Sequence, residues 1–379
     1  MNNQTASILE QAKRDGRIAS DPASVYAEIH ATGERHAFSD SWQALVFFKY
    51  DDVSAILREP RKFSNRGRVV NHLRKAYPEE AAGELKPLID HYSQGLINSD
   101  PPDHTRLRKL IQKAFLPRTL KRLQPRVDEI CTELLDHAEE CGRIDFVRDF
   151  AFQLPVTVIA QMLGIPHAKR DQFKDWSVRI VEFMATPNPT LEVMRNSQQA
   201  LLELRDYFSS VFAERRKYPD EDVISLLLAA RVEGDRLSEE EIQGTCVTLL
   251  IGGHETTTSL LTSAAWLIGT RPGLREALLA DPDRCASAVE EILRYEPPFQ
   301  RILRVVSEDT EVADATVRKG DTLLLLLGAA NRDPAQFPAP DRLAFGYGIH
   351  HHPGTGLARL EAPKPTSARH PPRSPSSLR

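Results

Sequence analysis

Seven consecutive residues, Gly252-Gly253-His254-Glu255-Thr256-Thr257-Thr258, bring together two glycines, an imidazole, a carboxyl and three hydroxyls. An acid beside a hydroxyl, next to backbone that glycine leaves bare, suits a flat ligand lying against the chain with both groups beside it. The same glycines would equally let a second helix approach closely, and the stretch by itself leaves both explanations open. His104 and Arg108 stand four residues apart, on one face if the segment is helical, and offer a cationic pair either to an anion or to solvent. Glu291 and Arg294, three apart, share a face in the same way; as a surface pair they would contribute only about 0.2–0.5 kcal/mol. Further on, Phe345-Gly346-Tyr347-Gly348-Ile349-His350-His351-His352-Pro353-Gly354 is a glycine-punctuated loop. Its three successive histidines either offer imidazole to a metal such as iron, zinc or copper or form an exposed basic loop.

These residues need elements to hold them. Ser238 with Glu241 three residues on is a capping box, and it opens a helical pattern that runs to about Gly269, with Pro272 beyond. At 1.5 Å per residue that helix is roughly 45 Å long. Ile242, Cys246, Leu249, Leu250, Leu260, Leu261 and Ala265 mark it as buried on several sides. Its centre is where local propensity is given up, since each mid-helix glycine costs about 0.5–1 kcal/mol relative to alanine. Asp100 as N-cap, Pro101 at the first position and Asp103 in the first turn predict the start of the helix that carries His104 and Arg108. Trp42 to Tyr50 has the composition of a strand, and Asp51 then caps a short helix from Val53 to Arg58. From about Leu120 to Glu233 the pattern is helical, with breaks predicted at Pro155, Pro166, Pro187-Asn188-Pro189 and Pro219-Asp220. A further helix from Arg284 to Tyr295 stops at Pro297-Pro298. Arg301–Val306, Thr310–Ala313 and Thr322–Leu327 read as short strands around the Lys319-Gly320-Asp321 turn. The fold class is therefore mainly α with a small β region. Pro363 to Arg379 holds five prolines and four serines without apolar period and is expected to be disordered.

A chain of 379 residues with 41% hydrophobic content can bury a substantial core. A formal net charge of −4, with no basic stripe carrying interleaved aromatics, argues against nucleic acid as a partner. No run of about 18 apolar residues and no leading signal pattern is present, which predicts a cytoplasmic chain without a membrane anchor. The absence of leftover heptads or a large apolar stripe predicts a monomer. Cys131, Cys141, Cys246 and Cys285 show no CxxC spacing and read as buried thiols.

Taken in order, these motifs resemble those of the cytochrome P450 family, of the soluble bacterial kind, over nearly the whole chain to about Glu361. Gly252-Gly253-His254-Glu255-Thr256-Thr257 is similar to the family's oxygen-activation motif, with Gly252 where alanine is more usual. Glu291-Ile292-Leu293-Arg294 resembles its ExxR. Asn331-Arg332-Asp333-Pro334, with Phe337 and Pro340-Asp341, resembles the segment ahead of the haem loop, and Phe345 to His350 the loop itself. The resemblance implies a single domain over 1–362, mostly α with a small β side, enclosing haem b between the long central helix and the haem loop. It implies an iron-dependent monooxygenase, an oxidoreductase of secondary metabolism, that hydroxylates a small hydrophobic molecule with dioxygen and electrons from a ferredoxin and ferredoxin reductase. It gives Glu255 and Thr256 the proton relay and Gly253 room at the haem face. His104, Arg108, Arg304 and His350 would bind the propionates, Phe345 would line the haem, and Glu291 with Arg294 would form a buried structural network behind it.

The sequence departs from the family pattern in three places. The family's iron ligand is a cysteine two residues after the loop histidine, and here that position is His352, which becomes the metal ligand the resemblance implies. A neutral imidazole is the proximal ligand of globins and peroxidases, whereas a thiolate favours O–O cleavage. Between Leu343 and Ala344 about a dozen residues of the usual meander are missing, and after Ala362 the composition turns abruptly to proline and serine, as an out-of-frame tail or a degraded gene would. Besides the monooxygenase, two readings follow: a His-ligated haem protein acting as peroxidase or carrier, and a non-catalytic auxiliary or scaffold protein.

Overall fold

Apolar residues at three- and four-residue spacing fill most of this chain, and the computed structural model, which describes residues 4–73, 81–115, 117–186, 189–271 and 273–336, places them in helices. The chain opens with α1 (Gln4–Arg14), α2 (Arg17–Ser20) and α3 (Pro22–Ala31), followed by β1 (His36–Ser39), β2 (Ala44–Phe47), α4 (Tyr50–Arg58) and β3 (Phe63–Ser64). Then come α5 (Arg68–Leu73), α6 (Lys86–Ser93), α7 (Asp103–Gln112), α8 (Pro117–Cys141), α9 (Gln153–Met162), α10 (Arg170–Ala185) and α11 (Leu191–Lys217). They are followed by α12 (Val223–Ala229), α13 (Glu239–Thr270), α14 (Leu274–Ala280) and α15 (Cys285–Tyr295). β4 (Ile302–Val306), β5 (Thr310–Val312), β6 (Ala315–Val317), β7 (Thr322–Leu325) and α16 (Leu327–Ala330) complete the described chain.

The chain forms two units. Of the described residues, one unit holds 4–68, 98–100 and 286–336, and the other 69–97 and 101–285. The first is built on a five-stranded sheet in the order β1-β2-β7-β4-β3, in which β2 and β7 are parallel and the other neighbours antiparallel. Because side chains alternate across a strand, Phe47, Val306, Leu323 and Leu325 fill a core on one face, while Ala44, Val46 and Leu324 join Leu9, Val25 and Ile29 on the other. Both faces are covered, which is why Leu323 to Leu326 is a continuous apolar run. β5 and β6 form a separate hairpin. The second unit is helical, and α13 packs within it against α9, α10, α11 and α12.

Several boundaries differ from the sequence expectation for identifiable reasons. Lys49, in extended conformation, precedes α4 without a side-chain cap, and Asp51 lies inside the first turn. Pro155 does not break a helix. It is the third residue of α9, in the first turn, where a missing N–H leaves no intrahelical bond unmade. The interruption falls earlier, at Gly142, whose φ of 69° ends α8. β1, β3 and β6 were not predicted, being two to four residues long. The expected disordered tail, 363–379, lies outside the described residues.

Candidate functional site

The long helix starts as its sequence demands. Ser238 Oγ accepts from the Glu241 N–H at 3.1 Å and Glu241 Oε2 from the Ser238 N–H at 2.8 Å. Arg106 of α7 donates from Nη1 to Glu241 at 2.6 Å and from Nε to Asp235 at 2.5 Å, tying α7 to the start of α13. That tie was not apparent in the sequence, where Arg106 looks like any solvated cation.

At the centre, Cys246, Leu250, His254, Thr257 and Leu261 are buried in the steps of three and four that define one helix face. Gly252, Glu255, Thr256 and Ser259 share another, half-buried face. Both sequence explanations of the glycines receive a partial answer. A Cβ on Gly253 would stand 2.6 Å from Ile159 Cδ1, so this position does permit close approach of α9. Thr256 Oγ1 donates to the Gly252 carbonyl one turn back, and Thr258 Oγ1 likewise to the His254 carbonyl at 2.9 Å. Burial raises the pKa of Glu255, which favours its neutral, proton-holding form. A carboxyl with a raised pKa and a hydroxyl, adjacent on one helix turn, are what a proton relay needs.

On α7, His104 is buried with Leu107, Leu110 and Ile111, and Arg108 is half-buried on the same side, so the pair is not a solvated face. Burial lowers the pKa of Arg108. Asp100 is not the cap of this helix. Pro102 occupies the N-cap position, and the Asp100 carboxylate instead accepts hydrogen bonds from Ser64 Oγ and from the N–H groups of Asn65 (3.1 Å) and Arg66 (3.4 Å).

In the sheet unit, Arg304 sits on β4 opposite Leu323 and is only 4% exposed. Burial, reinforced by the like charge of Arg68 and opposed by Asp100, pushes its pKa down to about 9. Arg68 is itself pushed to about 10 by burial, with Asp100 acting the other way. Guanidinium groups held in such a setting suit a carboxylate-bearing ligand, whose charge would favour the ionised forms. Neither Arg68 nor the role of Asp100 was foreseen; nothing in their local spacing distinguishes them from loop charges. In α15, Arg294 donates to Glu291 from Nε at 2.8 Å and to the Asn331 carbonyl at 2.9 Å. Its side chain is 13% exposed but that of Glu291 is 54% exposed, so the pair forms as expected while only its Arg half is buried. Phe345, His350 and His352 lie outside the described residues. Among those described, no three His, Cys, Asp or Glu side chains gather as a metal site.

The sequence profile of the cytochrome P450 family matches residues 63–345. A putative cytochrome P450 of Bacillus subtilis, YjiB, is 35% identical over 344 residues, covering 86% of this chain and 81% of that protein. The vitamin D(3) 25-hydroxylase of Pseudonocardia autotrophica is 40% identical over 360 residues, covering 91% and 85%. Among solved structures, CYP109E1 from Bacillus megaterium in complex with testosterone superposes with a TM-score of 0.78 at 33% identity over 90% of this chain and 88% of that one. A mainly helical fold with this small sheet, an acid–hydroxyl turn in its longest helix and likeness of this extent have one common explanation: the chain belongs to the cytochrome P450 family of haem monooxygenases.

Proposed function

We propose that this chain oxidises a small hydrophobic molecule with dioxygen, taking electrons from a ferredoxin and its reductase. The observation that carries the reading is the turn 252–256, where a half-buried carboxyl with a raised pKa adjoins a hydroxyl on a glycine-relieved helix face. The hydrophobic substrate class is supported by the relatives: one is a vitamin D(3) 25-hydroxylase and another was solved with testosterone. No helix among the described residues is long and apolar enough to cross a membrane.

The family's cofactor is haem, and buried or half-buried cations suit its carboxylates. By the resemblance, His104, Arg108, Arg304 and His350 would hold the propionates and Phe345 would line the ring; Gly253 would leave room beside it. When bound, haem supplies the iron centre at which dioxygen is reduced and split. Glu255 holds a proton in its neutral form. Thr256 donates its own hydroxyl hydrogen to Gly252, so its oxygen lone pairs accept the next hydrogen bond and pass a proton along by exchanging donor and acceptor roles.

A second reading rests on one residue. His352 stands where the family's thiolate ligand belongs, which supports a His-ligated peroxidase or carrier. The absorption spectrum of the haem-reconstituted, reduced, carbon monoxide-treated protein separates the two. A thiolate-type band supports the monooxygenase, an imidazole-type band supports His352 as ligand, and failure to take up haem favours a scaffold role.

A further inference from the structure

His254 lies between the glycine pair and the acid, and neither the proton relay nor the ligand-binding residues account for it. It is 2% exposed. Its Nδ1 is 3.0 Å from Ser177 Oγ of α10, its ring meets Phe152 edge-on with centroids 4.4 Å apart, and its Nε2 has no hydrogen-bond partner among the described residues. Burial alone pushes its pKa down to about 4, so the ring is neutral near pH 7. An apolar side chain at this buried site would avoid the cost of an unpaired buried nitrogen. What the imidazole supplies in return is direction.

Successive residues of an α-helix are 100° apart. Glu255 therefore projects about 100° from His254, and Thr256 about 160° from it, nearly the opposite side of α13. Gly253, pressed against Ile159 of α9, and His254, bonded to α10, fix the helix from two neighbouring helices within two consecutive residues. Between the buried side chains of Leu250 and Thr257, Gly252 and Gly253 offer no side chain of their own that could resist a rotation of this turn, which leaves His254 to do so. We propose that His254 is a positioning residue whose hydrogen bond to Ser177 sets the rotation of α13 at this turn, so that the placement of Glu255 and Thr256 depends on α10. The inference rests on reading Glu255 and Thr256 as the acid and hydroxyl of the site.

The test uses the full chain without haem, so it is independent of which ligand holds the iron. Glutamate labelled with 13C at the side-chain carboxyl, with the Glu255 signal assigned through Glu255→Gln, gives the Glu255 titration midpoint. In the parent chain the midpoint lies above the ordinary glutamate value. In Ser177→Ala and His254→Leu it is expected to fall back toward the ordinary glutamate value as the helix turns the carboxyl toward solvent. In His254→Asn, whose amide can still bond Ser177, it is expected to stay raised. A midpoint unchanged in both Ser177→Ala and His254→Leu overturns the proposal, as does a fall in His254→Asn equal to that in His254→Leu. If His254→Leu does not fold, Ser177→Ala against His254→Asn decides. An ordinary midpoint in the parent chain would overturn the reading of Glu255 itself, which separates the two failures.

Discussion

If Arg304 binds a haem propionate, as proposed, it does so from a position that does little for folding. A guanidinium that is 4% exposed, beside a second one, loses hydration that a single neighbouring carboxylate does not fully replace. Arg304→Gln should therefore leave the haem-free chain as stable or more stable in thermal melts, while weakening haem uptake about ten-fold or more, the worth of a charge-assisted hydrogen bond. Arg304→Lys should not restore uptake, because an ammonium cannot offer a planar fork to a carboxylate. Loss of both stability and uptake in Arg304→Gln would make the residue structural instead.

At the scale of the element, α13 is a helix whose weak centre is held by its neighbours. Gly253→Ala gains about 0.5–1 kcal/mol of helix propensity but drives a methyl group against Ile159 Cδ1, and overpacking costs about 1–3 kcal/mol. The net expectation is a loss of roughly 1 kcal/mol. Ile159→Val removes the offending carbon, so in that background Gly253→Ala should become neutral or stabilising. Urea unfolding of the four proteins of this cycle measures it, and additivity would refute the contact. The buried imidazoles of this unit also set a pH dependence. His254 and His91 are pushed down from the ordinary 6.5 to about 4 and about 3 by burial, in His91 with help from Arg205. The unfolded chain takes up these protons near pH 6.5 and the folded chain does not. Stability is thus fully present above that value and falls as pH drops toward 4, by on the order of 2–3 kcal/mol per imidazole. Urea midpoints from pH 7 to 4.5 should show the fall, and His254→Asn should make it shallower. Elements with strong local chemistry were legible in the sequence: the capping box of α13, the i,i+4 pair of α7, the turn at Gly320. What escaped were choices made by tertiary partners. Asp100 had the look of a cap but serves the 64–66 turn, and His254 carried no mark of Ser177, 77 residues away.

For the molecule as a whole, the family assignment was legible because several motifs occur in a fixed order, while substrate identity was not, since pocket-lining residues share no chemistry that spacing reveals. On the proposal that His352 takes the place of the family's ligand cysteine, His352→Cys should convert an imidazole-type carbon monoxide band to a thiolate-type one. If the shortened stretch near Leu343 also matters, His352→Cys should take up haem no better than the parent chain.

The parallel pairing of β2 with β7 has a consequence for how the chain is made. Leu45 cannot meet Leu323 until some 280 further residues have left the ribosome, which at 5–20 residues per second takes tens of seconds. Through that interval the β1–β2 hairpin exposes a bare, apolar edge, Ala-Leu-Val-Phe, of the kind that recruits other strands. The nascent chain is therefore most exposed to aggregation at its beginning, and the cell's chaperones have their task set by a strand that is finished almost first and paired almost last.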